Sequence, residues 1–506
     1  MTLWEWAVIL GCGAASVPAG LRWLRIAQRE HYLAPVVSRF SVRWWTAGYV
    51  NRALAAAAIL AAAAEWWWTG VGLITVAIEG YGPVRLGLRG TTGPLVWTKR
   101  LVRVAVTTGV LMVAALAWSA ASGRTGLSAV VLVMLPTMVD VALAINRPLE
   151  RAMSEKWVTE AAGQLVRVAP RVVAITGSYG KTSTKLYLAH LLAGQARVVA
   201  SPASFNNRMG LARAINERLT TDTEIFVAEM GTYGPGEIAE MCTWIPPDVA
   251  VITAIGPVHL ERMRTEERIL ACKREILTDG ATAVIGVDHP RLSELAEREA
   301  LNGRKVIRCS GAGNPAEVGV DPRSGAVIVE GKPIGLIDPG SHHPLNVAAA
   351  VGAVLALDID PVEVAPLPGT LPSPEHRLVT LVNDRGVTVL DDTFNANPAG
   401  AAAALCRLVE NSSPGGKRVV VTPGLVEMGP RRGVENRRLA KAAAEVATHL
   451  LVVGRTNRRD LVRGAGEGEA VVLVLEDRRQ AVRWARSNLD RGDVILYEND
   501  LPDHYP

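Results

Sequence analysis

Residues 172–185 read VVAITGSYGKTSTK, and the predicted fold of the chain from about residue 155 onwards is organised around them. Val172–Ile175 is a short apolar run that predicts a buried strand. A loop from Thr176 to Gly180 follows, and Lys181 opens a segment that can be helical. A strand, a glycine-containing loop and a helix start place backbone N–H groups around an anion. The stretch therefore predicts a loop that binds the phosphates of a nucleotide.

Each side chain of this loop has an expected task. Glycines allow the backbone to approach the phosphates closely, Lys181 reaches the β- and γ-phosphates, and Thr182 or Ser183 holds Mg²⁺. The spacing is GxxGKT, shorter than the usual GxxxxGKT, and a surface glycine turn with a chance Lys-Thr pair is the alternative. We predict that ATP contacts Gly177, Ser178, Tyr179, Gly180, Lys181, Thr182 and Ser183.

Charge and tryptophan are distributed unevenly along the 506 residues. Residues 1–150 carry 13 Lys and Arg against 6 Asp and Glu, and they hold 10 of the 13 Trp. The remaining residues carry 41 basic against 43 acidic side chains, so the net charge of +5 does not indicate a nucleic-acid-binding protein. Apolar runs, tryptophan and basic connectors instead predict a membrane domain over residues 1–150. The five Cys form no CxxC pair and indicate buried thiols in a reducing compartment.

The positive-inside rule orients the predicted membrane domain. Basic connectors at 21–46 and 81–103 favour the cytoplasm, so residues 47–80 should cross twice, turning near Glu65, unless they form one long tilted span. This gives four to five spans and a multi-pass protein of the cell membrane, with the rest of the chain in the cytoplasm. The apolar stretches are Leu3–Leu21, Gly48–Glu79, Leu101–Ala121 and Leu127–Ile145.

From about residue 155, short apolar runs alternate with helix-length segments, which indicates a doubly wound parallel sheet. Five prolines between Pro361 and Pro374 predict a domain boundary. The predicted fold class is α/β: transmembrane helices over 1–150, a P-loop doubly wound ATPase domain over 155–365, and a Rossmann-like α/β domain over 370–506.

Polar motifs follow several predicted strands, where parallel α/β sheets bind their ligands. They read SFNNRMG at 204–210, EMG at 229–231, TAIGPVHLE at 253–261 and KREI at 273–276. With TGSYGKTSTK, this order resembles the central ATPase domain of the Mur ligase family. The later stretch DDTFNANP at 391–398 resembles the C-terminal domain of the member that adds D-alanyl-D-alanine.

The resemblance implies ATP-dependent amide formation. A substrate carboxylate would attack the γ-phosphate, and an amine would then attack the resulting acyl phosphate. The implied catalytic residues are Lys181, Glu229, His259 and Lys273. One Mg²⁺ would be held by Thr182 and Glu229, and a second by His259 and Lys273, the latter as a carbamate.

The resemblance also implies further contacts. Those to ATP would come from Asn346, Arg377 and Asp392, and those to substrate from Asn206, Asn207, Asn395 and Asn397. Several of the implied site residues also have a plainer alternative. Glu229 could be a surface acid, His259 a structural histidine and Lys273 a surface lysine. Asn206 and Asn207 could be only a turn, and the DDTFNANP stretch could be an Asx-rich helix cap.

Three departures from the family pattern leave both substrates open. A membrane domain replaces the usual UDP-sugar-binding domain. Residues 286–289 read GVDH in place of Asn-x-Asp-Asp, and residues 497–503 replace the Lys-Gly-Ser loop that helps to hold the amine.

Three hypotheses follow. The first is a ligase that adds D-Ala-D-Ala, or another amino acid or dipeptide, to a cell-wall precursor. The second is a ligase like poly-γ-glutamate synthase or one that acts on lipid-linked precursors, and the third is a non-catalytic ATP-binding membrane scaffold. Expected partners are these substrates, membrane lipid and cell-wall assembly proteins, but no nucleic acid.

Overall fold

The computed structural model describes residues 1–87, 95–202, 205–258, 260–339, 342–364, 370–372, 379–393, 397–501 and 505. Three predicted site residues, His259, Arg377 and Asn395, lie outside these ranges. The chain divides into two units. The first is Met1–Met153 with Gly454–Thr456 and Leu501–Pro506, and the second is Ser154–Val453 with Asn457–Asp500.

The first unit is helical in its described part. Two of its helices, α1 and α5, are by length and composition able to cross a membrane, and the number rises to four if each of two bent helix pairs counts as one span. The helices are α1 (Leu3–Arg29), α2 (Val36–Thr46), α3 (Tyr49–Ala64), α4 (Gly72–Tyr81), α5 (Lys99–Ser122), α6 (Thr125–Val133) and α7 (Leu135–Val168), whose end belongs to the second unit.

The predicted span Leu127–Ile145 is broken, and the stretch that is expected to cross twice turns at Glu65. The stretch Leu127–Ile145 is divided between α6 and α7, which bend by 72° at Met134. Pro136 lies in the first turn of α7, where a residue without an N–H is tolerated but cannot continue the preceding helix. Residues 47–80 turn at Glu65, as the two-crossing alternative requires. However, α4 has only 10 residues, about 15 Å of helix, which is half the thickness of a bilayer core.

Buried polar side chains cap the ends of these short helices. The Glu65 carboxylate accepts the N–H groups of Gly70 at 2.9 Å and Gly72 at 2.6 Å, at the start of α4. Asp140 accepts the N–H of Ser38 at 2.8 Å at the start of α2. Arg22 donates to the carbonyl of Gly80 at 2.7 Å at the end of α4. Helix ends inside an apolar unit need such partners because no water can reach them.

The second unit contains two sheets. The first sheet has the order β2-β3-β1-β4-β5-β6-β7-β8-β9 among the described residues, and its strands are parallel from β2 to β7. Its strands are β1 (Arg171–Thr176), β2 (Val198–Ala200), β3 (Ile225–Glu229), β4 (Val249–Ile252), β5 (Thr282–Gly286), β6 (Val306–Ser310), β7 (Val318–Val320), β8 (Ala326–Val329) and β9 (Lys332–Leu336). Its helices are α8 (Lys181–Leu191), α9 (Arg208–Arg218), α10 (Glu237–Cys242), α11 (Leu260–Met263), α12 (Glu266–Arg274), α13 (Pro290–Leu301) and α14 (Pro344–Ala356).

The second sheet has the order β10-β11-β15-β12-β13-β14, with β10 antiparallel to the others. Its strands are β10 (Val379–Val382), β11 (Thr388–Asp392), β12 (Arg418–Thr422), β13 (His449–Val453), β14 (Val471–Leu475) and β15 (Val494–Glu498). Its helices are α15 (Pro398–Glu410), α16 (Arg432–Val446), α17 (Arg458–Ala465) and α18 (Arg478–Asn488). The predicted α/β class, with parallel sheets, is confirmed.

All five cysteines are free thiols. Cys12, Cys242, Cys272 and Cys309 are buried, as the sequence predicts, but Cys406 is exposed. It lies on the outer face of α15, whose inner face packs into the core through Ala404, Leu405 and neighbouring apolar residues.

Candidate active site

The site begins at the carboxyl end of β1, a central strand that pairs with β3 on one side and β4 on the other. The chain leaves β1 to build strands on both sides of it, and such crossover points are where open parallel sheets bind ligands. Gly180 ends the loop with φ +79°, and a Cβ there would lie 2.0 Å from Oδ1 of Asn346. A Cβ at Gly177 would lie 2.0 Å from Oγ1 of Thr253. Both positions therefore require glycine.

Lys181 and Thr182 open α8 directly after the loop. The Lys181 ammonium donates to the carbonyl of Gly177 at 2.8 Å, so the side chain folds back over its own loop. The N-cap of α8 is Gly180, which has no side chain that could cap the helix. Its first-turn N–H groups and this ammonium fit the phosphates of ATP, which need fixed donors and positive charge.

Glu229 ends β3 beside this loop, with 1% of its surface exposed. Its Oε2 accepts Lys185 Nζ at 2.9 Å and Thr182 Oγ1 at 3.1 Å, and its Oε1 accepts Asn206 Nδ2 at 3.2 Å. Burial acts to raise the pKa of Glu229, but the ammonium groups of Lys185 and then Lys181 outweigh it, so the pKa lies below its ordinary value. The carboxylate is therefore charged at neutral pH.

The pair Thr182–Glu229 fits Mg²⁺, which prefers oxygen ligands and commonly takes one or two from the protein and the others from phosphates and water. No group of three His, Cys, Asp or Glu residues that could hold a metal exists in the part of the chain that the structure describes. His259 lies outside the described residues, so this statement does not cover it.

Asn206 and Asn207 do different things. Asn206 faces the Glu229 carboxylate, as described above. Asn207 is the N-cap of α9, and its Oδ1 accepts the N–H of Gly210 at 2.9 Å. The alternative that the sequence leaves open for Asn207 is a turn, whereas the structure shows a helix cap.

Lys273 lies on α12 and is 3% exposed. Burial, and then the positive charge of Lys181, lower its pKa to about 7. A substantial fraction of this amine is therefore neutral at physiological pH. Lys273 is not a surface lysine, which removes the plainer alternative.

Three further predicted residues can be placed, two in the C-terminal lobe and one on α14. Asp392 ends β11 and is 9% exposed, next to Glu498 on β15 in the strand register. Asn397 is the N-cap of α15, with Oδ1 accepting the N–H of Gly400 at 3.0 Å. Asn346 lies on α14 against Gly180, and its backbone carbonyl accepts Thr184 Oγ1 at 3.3 Å.

The two lobes of the second unit touch at α11 and α12. The N–H of Glu261 donates to the carbonyl of Glu427 at 3.3 Å, and Arg431 forms an ion pair with Glu266 at 2.5 Å. Loop 423–428 of the C-terminal lobe is held by buried asparagines, Asn436 and Asn457.

Sequence reasoning missed Lys185, Thr253 and Glu498. Thr253 Oγ1 donates towards the loop carbonyl of Tyr179 at 2.5 Å. Lys185 stands in the opening stretch one turn after Lys181, and a lysine on the buried side of a helix would have been its signal. For Glu498, a carboxylate directly after an apolar strand is the signal.

Comparison with known proteins gives this arrangement its context. Residues 175–354 match the Mur ligase middle domain, and residues 376–497 match the Mur ligase, glutamate ligase domain. A UDP-N-acetylmuramoyl-tripeptide–D-alanyl-D-alanine ligase of Mycobacterium leprae is 30% identical over 378 residues, which are 66% of this chain and 72% of the relative.

The chain belongs to the Mur ligase family.

Other Mur ligases give the same result. The ligase of the same name from Bacillus subtilis is 31% identical over 352 residues, covering 66% of this chain and 74% of its own. The crystal structure of MurF ligase from Thermotoga maritima in complex with ADP is 25% identical, with a TM-score of 0.57 over 68% of this chain and 80% of its own. The predicted enzyme class is confirmed: as a Mur ligase the chain is an ATP-dependent ligase that forms amide bonds and uses Mg²⁺. Neither family domain covers residues 1–174.

Proposed function

We propose that this protein adds D-Ala-D-Ala to the peptide carboxylate of UDP-N-acetylmuramoyl-tripeptide, through an acyl phosphate and with release of ADP and phosphate. Relatives at about 30% identity bear the name of this activity. The observation that carries the chemistry is the grouping of Lys181, Thr182 and Glu229 at one end of the sheet.

The reaction needs charge neutralisation and positioning more than covalent chemistry from the protein. Lys181 would leave the Gly177 carbonyl to meet the β- and γ-phosphates. Thr182 and Glu229 would hold Mg²⁺, which would neutralise the phosphates while the substrate carboxylate attacks. Asn206, held against Glu229, would keep this carboxylate facing the nucleotide.

Lys273 would supply a ligand for a second Mg²⁺ after reaction with carbon dioxide. A carbamate forms only from a neutral amine, and the burial of Lys273 favours that form. His259 would complete this site. Asp392 would contact the ribose of ATP, and Asn395, Asn397 and Arg377 would line the same cleft from the C-terminal lobe.

The direct test is phosphate release by the purified full-length chain with ATP, the UDP-linked tripeptide and D-Ala-D-Ala. We expect release only when all three are present, and a loss of about 10²–10³-fold in Lys181→Ala, because a charge-stabilising donor is removed from the transition state. Lys305→Ala, a partly exposed lysine paired with Asp358, is the matched control and should keep full activity. Absence of release with this substrate pair would rule out the substrate assignment.

A second candidate differs only in the acceptor. We propose that the protein is multi-pass in the cell membrane with its catalytic part in the cytoplasm, because its first unit has two to four candidate spans. By the family resemblance, relatives have a UDP-sugar-binding domain at this place in the chain. Its replacement by a unit of apolar helices favours a lipid-linked or polymeric acceptor. Product mass spectrometry on membranes given ATP and D-Ala-D-Ala, with the UDP-linked and a lipid-linked tripeptide in turn, distinguishes the two acceptors.

A further inference from the structure

Lys185 is a buried lysine that the reaction outlined above does not use. It lies on α8 and is 1% exposed, and its ion pair with Glu229 has 2% exposure on each side chain. Lysine is rarely buried without a partner, because removing an ammonium from water costs several kcal/mol, roughly, before any pairing. A position that tolerates such a cost needs a specific reason.

The geometry around Glu229 supplies that reason. Thr182 and Lys185 are three residues apart on α8, so they lie on the same helix face. Both contact the same oxygen, Oε2, while Asn206 holds Oε1 from another segment. The carboxylate is therefore fixed at both oxygens, and the oxygen nearest the Thr182 hydroxyl is the one that Lys185 holds.

We propose that Lys185 is a positioning residue for Mg²⁺ binding, which acts by fixing the Glu229 carboxylate beside the Thr182 hydroxyl. The inference rests on the proposed metal role of Glu229 and Thr182. In this role Lys185 would act through Glu229 and would not itself bind the metal or the nucleotide. Lys181, the other ammonium that acts on Glu229, is committed to the loop and the phosphates, so it cannot replace Lys185 in this task.

The consequence is a selective defect. Without Lys185, Glu229 can rotate away from Thr182, and the metal loses a preformed pair of ligands. Nucleotide binding through the loop amides and Lys181 does not need Glu229. Loss of a group that orients a metal ligand typically weakens metal affinity about 10–100-fold. We therefore expect Lys185→Met to reduce the gain in ADP affinity that Mg²⁺ provides, and to leave ADP binding without Mg²⁺ unchanged.

The test is calorimetric titration of ADP into the full-length chain in detergent, with and without Mg²⁺. The variants are Lys185→Met, Lys185→Arg and Lys185→Gln, and Lys305→Met is the matched control at a partly exposed lysine. We expect the Mg²⁺-dependent gain to fall about 10–100-fold in Lys185→Met and to be largely restored in Lys185→Arg, which keeps the charge. Lys305→Met should behave like the unchanged protein.

Each other outcome has a defined meaning. A full Mg²⁺-dependent gain in ADP affinity in folded Lys185→Met overturns the inference. An equal loss of ADP affinity with and without Mg²⁺ also overturns it, because such a loss indicates a merely structural role. If Lys185→Met does not fold, Lys185→Gln is the test variant, because it keeps a hydrogen-bond donor and loses the charge. A full Mg²⁺-dependent gain in ADP affinity in Lys185→Gln overturns the inference, and a reduced gain supports it. Absence of any Mg²⁺-dependent gain in the unchanged chain overturns the proposed metal role of Glu229 as well.

Discussion

Glu229 and Glu498 end parallel strands in two different sheets, and both are almost completely buried. Their surroundings give them opposite properties. Glu229 meets two ammonium groups, which hold its pKa low despite burial. Burial, and then the neighbouring carboxylate of Asp392, raise the pKa of Glu498 well above its ordinary value. One carboxyl is thus suited to bind a cation, while the other is suited to keep its proton.

Glu498 should make the stability of the protein depend on pH. Its pKa is higher in the folded state than in the unfolded state. Above about pH 4.5, the ordinary value, the folded state therefore keeps a proton that the unfolded state releases. The free energy of unfolding therefore falls as the pH rises from about 4.5 towards the raised pKa of the folded state. Glu498→Gln, which mimics the protonated form, should raise the apparent melting temperature more at pH 8 than at pH 5.

The control for this prediction is Glu410→Gln, because Glu410 is mostly exposed. Thermal unfolding of the three proteins at both pH values is the measurement. A gain in Glu498→Gln that is the same at pH 5 and pH 8 would contradict the assignment of a raised pKa.

The sequence could predict the nucleotide loop, because its chemistry lies in consecutive residues from Gly177 to Ser183. It could not predict the partners of Glu229. Lys185 and Asn206 reach this carboxylate from α8 and from a separate turn, and only the packing of α8 on β3 brings them together. Whether a side chain such as Asn207 caps a helix or faces a ligand likewise depends on backbone geometry that letters alone do not give.

At the scale of an element, the loop between β1 and α8 packs against α14, and this contact restricts its conformation. Gly180 has a left-handed backbone and lies against the side chain of Asn346. Gly180→Ala should strain the backbone by about 1–2 kcal/mol and displace Asn346, and this should weaken ADP binding about tenfold. Gly194→Ala is the matched control, because a Cβ there would meet no atom within 4 Å.

Calorimetric titration of ADP into both glycine variants checks this prediction. Tight binding by Gly180→Ala would show that the loop can rearrange without cost. Weak binding by Gly194→Ala would show that the assay reports general destabilisation.

The polar caps of the first unit make another prediction at this scale. Glu65 joins the turn before α4 to α6, because its Oε1 also accepts the Thr125 hydroxyl at 2.9 Å. Glu65→Leu leaves buried donors without partners, so we expect a loss of about 3 kcal/mol and a lower apparent melting temperature in detergent. Trp67→Leu, at an exposed tryptophan of the same turn, should change it little. Equal melting temperatures of Glu65→Leu and the unchanged protein would contradict this role.

Hydropathy predicts where apolar segments lie but not where they break. The stretch Leu127–Ile145 is predominantly apolar, yet Pro136 and the bend at Met134 divide it between two helices. The turn at Glu65 could be predicted, because a charged residue within an apolar stretch needs partners. Its partners, two glycine amides and a threonine hydroxyl, are tertiary and could not be predicted.

At the scale of the whole molecule, a unit of apolar helices is joined to a Mur-type ligase within one chain. Many of its large apolar side chains are exposed, among them Leu10, Val110, Val113 and Trp118. Such a surface is unfavourable in water and favourable in lipid, since each Å² of apolar area costs about 25 cal/mol in contact with water.

We therefore expect the full-length chain to sediment with membranes and to stay there after extraction with alkaline carbonate, whereas detergent should release it. A reporter fused to the C-terminus should show a cytoplasmic location, where ATP is available. Recovery in the soluble fraction without detergent would contradict membrane insertion, and a reporter on the outer side would contradict the predicted orientation.

The single exposed thiol has a practical consequence. Four of the five cysteines are shielded, so a maleimide dye should attach to the native chain at Cys406 alone, without prior mutagenesis. This residue lies on the helix that Asn397 begins, in the lobe expected to receive the incoming amine. A fluorophore at that point would report in real time, in the intact enzyme, whether ATP and the amine change the surroundings of this helix.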